Sequence, residues 1–308
     1  MDRDHRFLDP GRALWPGRPT LVIVPRWRAG LAKAEEIGFA SPMSHARSLE
    51  LADRFEGVLV VGDVHGHSEL LTPFCDLALA QSFFLLSLGD LTDRGPDAPG
   101  VLRLMRRFVE EERGLFLRGN HDDKLFRTLL GRRTFIDADL ADTLDQLHAA
   151  SDGRLLEDWF RHVYPAMPFV LGVGRTVMVH GALDPAMLPP VNVFPKRLEA
   201  LALFGEVTGE RHADGRPVRI YRWLDRLPGD LLVLAGHDPL SDTVLRLRTG
   251  KNGCRLLHLD SGAGQGGPLS AVRLDRLGEP VEALQVRPGE REPRPCPVLP
   301  FTSPVPAL

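Results

Sequence analysis

The chain has 308 residues with 43% hydrophobic and 26% charged residues, enough to bury a full core in one large domain or two small ones. Its formal net charge of −3 supplies no basic face for long nucleic acid, so a polyanionic substrate would need a local positive site. The 3 cysteines, Cys75, Cys254 and Cys296, are too far apart for a disulfide framework or a thiolate zinc site. No run approaches the ~20 apolar residues of a membrane helix and the start has no signal-peptide pattern, so a cytoplasmic, membrane-free protein is expected.

Residues 1–57 contain a short apolar run, TLVIV from Thr20 to Val24, and two helix-like stretches, LAKAEEIGFA and MSHARSLELADRF. They are expected to form an N-terminal elaboration. From Val58 the pattern becomes short β-rich runs that end in clusters of Gly, Asp, His or Asn: VLVVGDVHGH, FFLLSLGDLTDRG, GLFLRGNHDD, TVMVHGA, LLVLAGHDPL and LLHLDSGAG. Buried strands with functional loops at their C-terminal ends have this form. Helical patterns, SELLTPFCDLALAQ and PGVLRLMRRFVEEE, separate the first three runs, which predicts an α/β fold with a parallel βαβαβ half. Residues 124–168 are helical in period and carry no motif, so they read as a helical insertion over the strand ends that shapes substrate access. VEALQV, after Pro280, predicts a last strand, and the proline-rich residues 288–308 predict a loose, disordered tail.

Divalent metals prefer hard oxygens and imidazole nitrogens converging from rigid elements. Asp63 and His65 stand one residue apart between Gly62 and Gly66, and Asp90 opens the second loop. Asp93 and Arg94 follow in GDLTDRG, where a guanidinium fork suits phosphate. In GNHDD, Asn120 offers a neutral oxygen and His121 an imidazole that Asp93 could orient. His180 and His237 each follow an apolar run and precede a turn. Alone, any one of these is an ordinary turn or structural residue; five such loops in this order point to metal binding.

These loops resemble the calcineurin-like metallophosphoesterases, in particular the phosphoprotein-phosphatase branch marked by GDxHG, GDxxDRG and GNHD/E. The resemblance spans about Val58 to Val286 and is nearest to bacterial diadenosine-tetraphosphate hydrolases and to the phosphatase domain of bacterial polynucleotide kinase-phosphatase. Two further segments support it, LFGEVTGERHADGRPVR with Trp223 beyond it, and LDSGAGQGGPLSAVRL. It implies a sandwich of two mixed sheets flanked by helices over residues 58–287. It implies one metal held by Asp63, His65 and Asp90, with Asp90 bridging to a second held by Asn120, His180 and His237. Manganese is the first expectation, with iron, zinc, cobalt and nickel as alternatives.

The implied reaction is in-line hydrolysis by a hydroxide activated between the cations. Arg94 would hold the phosphate, and His121, oriented by Asp93, would protonate the leaving oxygen. Asp260 is a candidate for orienting an imidazole from behind, or else a strand-end turn residue. His67 is expected to cap the helix starting at Ser68, or else to hydrogen-bond phosphate; Asp238 to point outward from its turn, or else inward, where its charge would tighten metal binding or disfavour an anionic substrate; and Arg219 and Arg222 to be either second phosphate contacts or solvated charges. The expected substrate is a phosphoprotein or small phosphate monoester, with dinucleoside tetraphosphates as the alternative and a non-catalytic metal-binding regulator as a third reading.

Overall fold

The computed structural model describes residues 45–301 apart from residues 190, 212, 214 and 216. The TLVIV and LAKAEEIGFA stretches and the first two residues of MSHARSLELADRF lie outside the described residues. In chain order the elements are β1 (Ala46–Ser48), β2 (Gly57–Val61), α1 (Ser68–Ala80), β3 (Phe83–Ser87), α2 (Ala98–Glu110), β4 (Gly114–Phe116), α3 (Asn120–Leu129), α4 (Ala138–Ala149), α5 (Gly153–Val163), β5 (Val170–Val173) and β6 (Thr176–Val179). There follow α6 (Lys196–Phe204), β7 (Glu206–Arg211), β8 (Pro217–Ile220), β9 (Leu232–Ala235), β10 (Leu245–Thr249), β11 (Arg255–His258), β12 (Leu269–Asp275), β13 (Pro280–Val286), β14 (Arg294–Pro295) and β15 (Val298–Pro300).

Two mixed sheets face each other. One runs β14-β13-β12-β2-β3-β4 and the other β1-β5-β6-β9-β11-β10-β15, while β7 and β8 form a separate hairpin. All six β-rich runs are strands, and β2, β3 and β4 pair in parallel with α1 and α2 as crossovers. Every residue of GVLVV and FFLLS is buried, as expected of strands covered on both faces. The main core lies between the sheets, joining Leu59 and Leu85 of one to Met178 and Leu257 of the other. A second cluster, with Val179, Val233, Leu198 and Trp223, covers the outer face of the seven-stranded sheet.

Two expectations change. Within MSHARSLELADRF the described part is not helical: Ala46–Ser48 pairs in parallel with β5, so ladder pairing overrides the local helical period. The tail is not loose up to Phe301. Arg294–Pro295 joins the edge of β13 and Val298–Pro300 joins the edge of β10. Proline removes a donor but keeps its carbonyl, and at a sheet edge that suffices: Leu245 N donates to Pro297 O (2.9 Å).

The expected insertion is helical, but its first helix starts earlier, at Asn120, inside the GNHDD motif. Asp137 caps α4, its side chain accepting from Leu140 N (3.0 Å). Gln146 of α4 clamps the second loop, donating to Gly95 O (2.9 Å) and accepting from Ala98 N (2.7 Å). Among the described residues, no helix is long and apolar enough to cross a membrane.

Candidate metal centre

The parallel strands deliver their loops to one end of the sandwich, and backbone hydrogen bonds stitch those loops together. Val64 N and His65 N donate to Asp90 O (3.1 and 2.8 Å), and Gly66 N to Leu91 O (2.8 Å). The first two acidic side chains each receive an amide from another loop: His237 N donates to Asp63 Oδ2 (2.9 Å) and His121 N to Asp90 Oδ1 (2.9 Å). Such contacts demand close approach. A Cβ at Gly236 would sit 2.0 Å from Asp63 Oδ1, and one at Gly264 would sit 2.7 Å from His65 Cδ2.

His65, Asp90, Asp93, Arg94 and His237 all have φ between 47° and 71°, the left-handed region that side chains other than glycine seldom adopt. Of the seven such residues described, five are at this site, which is where strain is expected when the surroundings over-determine a geometry.

Around Asp90 two groups of side chains converge. Ligating atoms of His65, Asp90 and His121 lie within 4.8 Å of one another, as do those of Asp90, His180 and His237. Asp90 Oδ2 is 3.7 Å from His65 Nε2 and 3.5 Å from His180 Nε2, and Asn120 Oδ1 is 3.0 Å from His180 Nε2. The two rings are aimed from behind: His65 Nδ1 donates to Thr92 O (3.1 Å) and His180 Nδ1 to Leu88 O (3.0 Å). That fixes the tautomer and turns the Nε2 lone pair inward. Asp63 is outside both groups, yet its Oδ1 is buried with no hydrogen-bond partner.

The donor set fits divalent cations on electrostatic grounds. Burial, and then the charges of Asp260 and Asp90, push the Asp63 carboxyl well above its ordinary value. Burial likewise takes Asp260 to about 7, and burial with the charge of Asp90 takes Asp122 to about 8. Arg94 offsets this crowding at Asp63 and Asp260 only in part, so the site favours further positive charge. Burial also lowers His65 to about 3 and His180 and His237 below the ordinary imidazole value, so these rings are neutral and able to donate lone pairs.

His121 differs. Its Nδ1 is 2.7 Å from Asp93 Oδ2. Burial opposes its protonation, but the charge of Asp90 and the Asp93 hydrogen bond outweigh burial and hold it above its ordinary value. Although its ring falls in one of the converging groups, this pairing marks it as a proton carrier more than a neutral ligand. Arg94 lies beside it, with Nη2 3.2 Å from His121 Nε2 and Nη1 3.2 Å from His65 Nε2.

The sequence did not point to what supports Asp93. Thr143 of α4 donates to Asp93 Oδ1 (2.8 Å) and accepts from Asp93 N (3.0 Å), while Lys124 Nζ is 2.9 Å from Asp93 Oδ2 and from Asp137 Oδ1. Lys124 directly follows GNHDD and was within reach of sequence reasoning; Thr143 had no signal. Asp122, also missed, accepts from Leu91 N and Gly119 N (3.0 and 3.2 Å).

Other expected roles shift. His67 stands at the N-cap of α1, but its ring bonds Glu69 Oε1 (2.8 Å) and makes no cap hydrogen bond. Asp260 is buried and accepts from Gly262 N (2.9 Å) instead of orienting an imidazole. Asp238 does not point to solvent: it bonds Tyr221 Oη and pairs with Arg219 Nε (3.4 Å). Arg219 is mostly buried beside His237, whereas Arg222 is exposed.

Residues 57–263 match the family model described as calcineurin-like phosphoesterase. The chain belongs to that family. As a calcineurin-like phosphoesterase it is a hydrolase of phosphoester bonds, and the family works with a dinuclear divalent metal centre. Among curated relatives, it is 29% identical over 233 residues to the asymmetrical bis(5'-nucleosyl)-tetraphosphatase PrpE of Halalkalibacterium halodurans, covering 71% of this chain and 90% of that one. It is 32% identical over 194 residues to the protein of the same name from a Geobacillus species, covering 62% and 75%. A protein serine/threonine phosphatase of Saccharomyces cerevisiae shares the fold with a TM-score of 0.50 at 15% identity, covering 82% of this chain and 87% of that one.

Proposed function

We propose that this phosphoesterase cleaves dinucleoside tetraphosphates asymmetrically, water adding to one phosphorus while a P–O–P bond breaks, to give a nucleoside triphosphate and a nucleoside monophosphate. The observation that carries the reading is the likeness to two relatives named for that reaction, one of them along 90% of its length. The phosphoprotein or small-monoester reading rests on the GDxxDRG and GNHD motifs, which the nucleotide reading accommodates equally well.

Asp63, His65 and Asp90 would hold one cation and Asp90, Asn120, His180 and His237 the other, with manganese the first choice. Bound there, such cations would supply a lowered pKa for an attacking water and positive charge for the phosphoryl oxygens. Arg94, set between His65 and His121, holds the non-bridging oxygens of the phosphate under attack. His121 delivers its proton to the leaving oxygen from Nε2, and Asp93 keeps the ring oriented and charged from Nδ1. The three cysteines are buried free thiols, which suits a reducing cytoplasm.

The test compares kcat/KM for diadenosine tetraphosphate, a phosphoserine peptide and nitrophenyl phosphate on manganese-restored protein. Preference for the dinucleotide is expected; preference for the peptide would replace this reading with a protein phosphatase.

A further inference from the structure

Two guanidinium groups border the converging side chains from different sides. Arg94 touches the rings of His65 and His121, each at 3.2 Å. Arg219, on β8, borders the His180 and His237 side, where it lines a small cavity with His237, Asp238, Tyr221 and His258. It is held rigidly, donating from Nη1 to Phe204 O (2.9 Å) and pairing through Nε with Asp238 Oδ1 (3.4 Å). A guanidinium has five N–H donors, so these two contacts leave others for an anion. A second fork beyond the His180–His237 pair, on the far side from Arg94, suits a substrate whose phosphates continue past the one under attack.

The surface continues outward from there. Gly205 and Glu206 line both that cavity and a groove of about 600 Å³, within the ~300–1,000 Å³ usual for small-molecule sites. Phe204 and Val207 on its wall are 49% and 43% exposed, unusual for large apolar side chains. Arg226 in the same wall is only loosely paired, 3.8 Å from Asp184 and 4.0 Å from Glu206. Glu206 Oε2 is buried and makes no hydrogen bond, with Arg226 Nη2 at 4.0 Å as its facing cation. A nucleoside answers these features: a base with a π-face for Phe204, and ribose hydroxyl oxygens for the loosely held Arg226.

We propose that Arg219 and the groove at Phe204 and Glu206 bind the second nucleotide half of the substrate, Arg219 taking the distal phosphates and the groove the distal nucleoside. The proposal rests on the dinucleoside reading. It makes Arg219 a specificity residue, with Asp238 and Tyr221 as its positioning residues.

The readout is the ratio of kcat/KM for diadenosine tetraphosphate to kcat/KM for nitrophenyl phosphate, which has no second nucleotide, on manganese-restored full chain. Arg219→Gln should lower that ratio about 10- to 100-fold, the worth of a charge-assisted contact. Phe204→Ala, at an exposed position where folding is safe, should lower it about fivefold or more through KM, as loss of base stacking does. An unchanged ratio in both variants, or equal loss on both substrates for Arg219→Gln, would overturn the subsite while leaving the dinucleoside reading intact. Wild-type protein that turns over nitrophenyl phosphate but not the dinucleotide would overturn the reading and the subsite together.

Discussion

Thr143→Val isolates the part of the helical insertion that reaches the site. Valine keeps the shape of threonine but can neither donate to Asp93 Oδ1 nor accept from Asp93 N, contacts of 2.8 and 3.0 Å. Both residues are buried, at 1% and 0% exposure, so water cannot substitute. Each buried group left unsatisfied costs ~1–3 kcal/mol, giving about 2–6 kcal/mol of lost stability for the two. Asp93 also sits at φ 71°, a conformation these bonds help to hold, so its carboxylate should drift from His121. Lys124 still anchors Oδ2, so only part of the ~100- to 10,000-fold worth of a general acid should go, about tenfold. The assay is kcat/KM along a series of aryl phosphates of rising leaving-group pKa, with thermal melting alongside. The loss should grow with leaving-group pKa and be reversed by Thr143→Ser; a lowered melting point with uniform or no kinetic loss would refute the support of His121 through Asp93.

Metal-free protein should lose stability between about pH 7 and about pH 9. Asp63, Asp122 and Asp260 have raised folded values, Asp122 at about 8 and Asp260 at about 7, while in the unfolded chain they titrate at ~3.9, so the unfolded chain binds fewer protons and stability falls as pH rises. Below ~6.5 the neutral His65, His180 and His237 act in the opposite direction, because unfolding lets them take up protons, which places the window on the alkaline side. Saturating manganese should remove or reverse this trend in thermal melts, because metal binding favours ionised ligands, and a pH-independent metal-free midpoint would contradict it. Gly236→Ala should abolish tight metal binding measured by calorimetry, since its Cβ would lie 2.0 Å from Asp63 Oδ1 on a rigid backbone. Truncation after Glu290 should lower the melting temperature by several degrees, because it strips β14 and β15 from the edges of both sheets; an unchanged melt would mean that these pairings contribute nothing.

Much of the site was legible because its residues stand at the ends of strongly patterned strands. GDVHG, GDLTDRG and GNHDD each carry their chemistry within a few residues of a run such as VLVV or FFLL, so the parallel sheet had to bring them together. The second sheet was legible only through resemblance, since β5, β10 and the register linking β6, β9 and β11 depend on pairings far apart in sequence. Thr143 was invisible for the same reason: it meets Asp93 across 50 residues, on a helix whose period reports only packing. Residues 288–301 misled because proline composition argues against strand interiors, whereas edge strands need only carbonyls from it. His67 misled in another way. Its position at the N-cap was right, but Glu69 two residues on captures the ring.

The most direct test adds manganese stepwise to chelator-stripped protein and follows the nucleotides released from diadenosine tetraphosphate, for the wild type and Asp90→Asn. ATP and AMP are expected in equal amounts, at a rate that saturates near two ions per chain and is lost when the shared carboxylate between the two groups of ligands is removed. Full turnover without metal, undiminished turnover in Asp90→Asn, or ADP as the sole product would contradict that expectation.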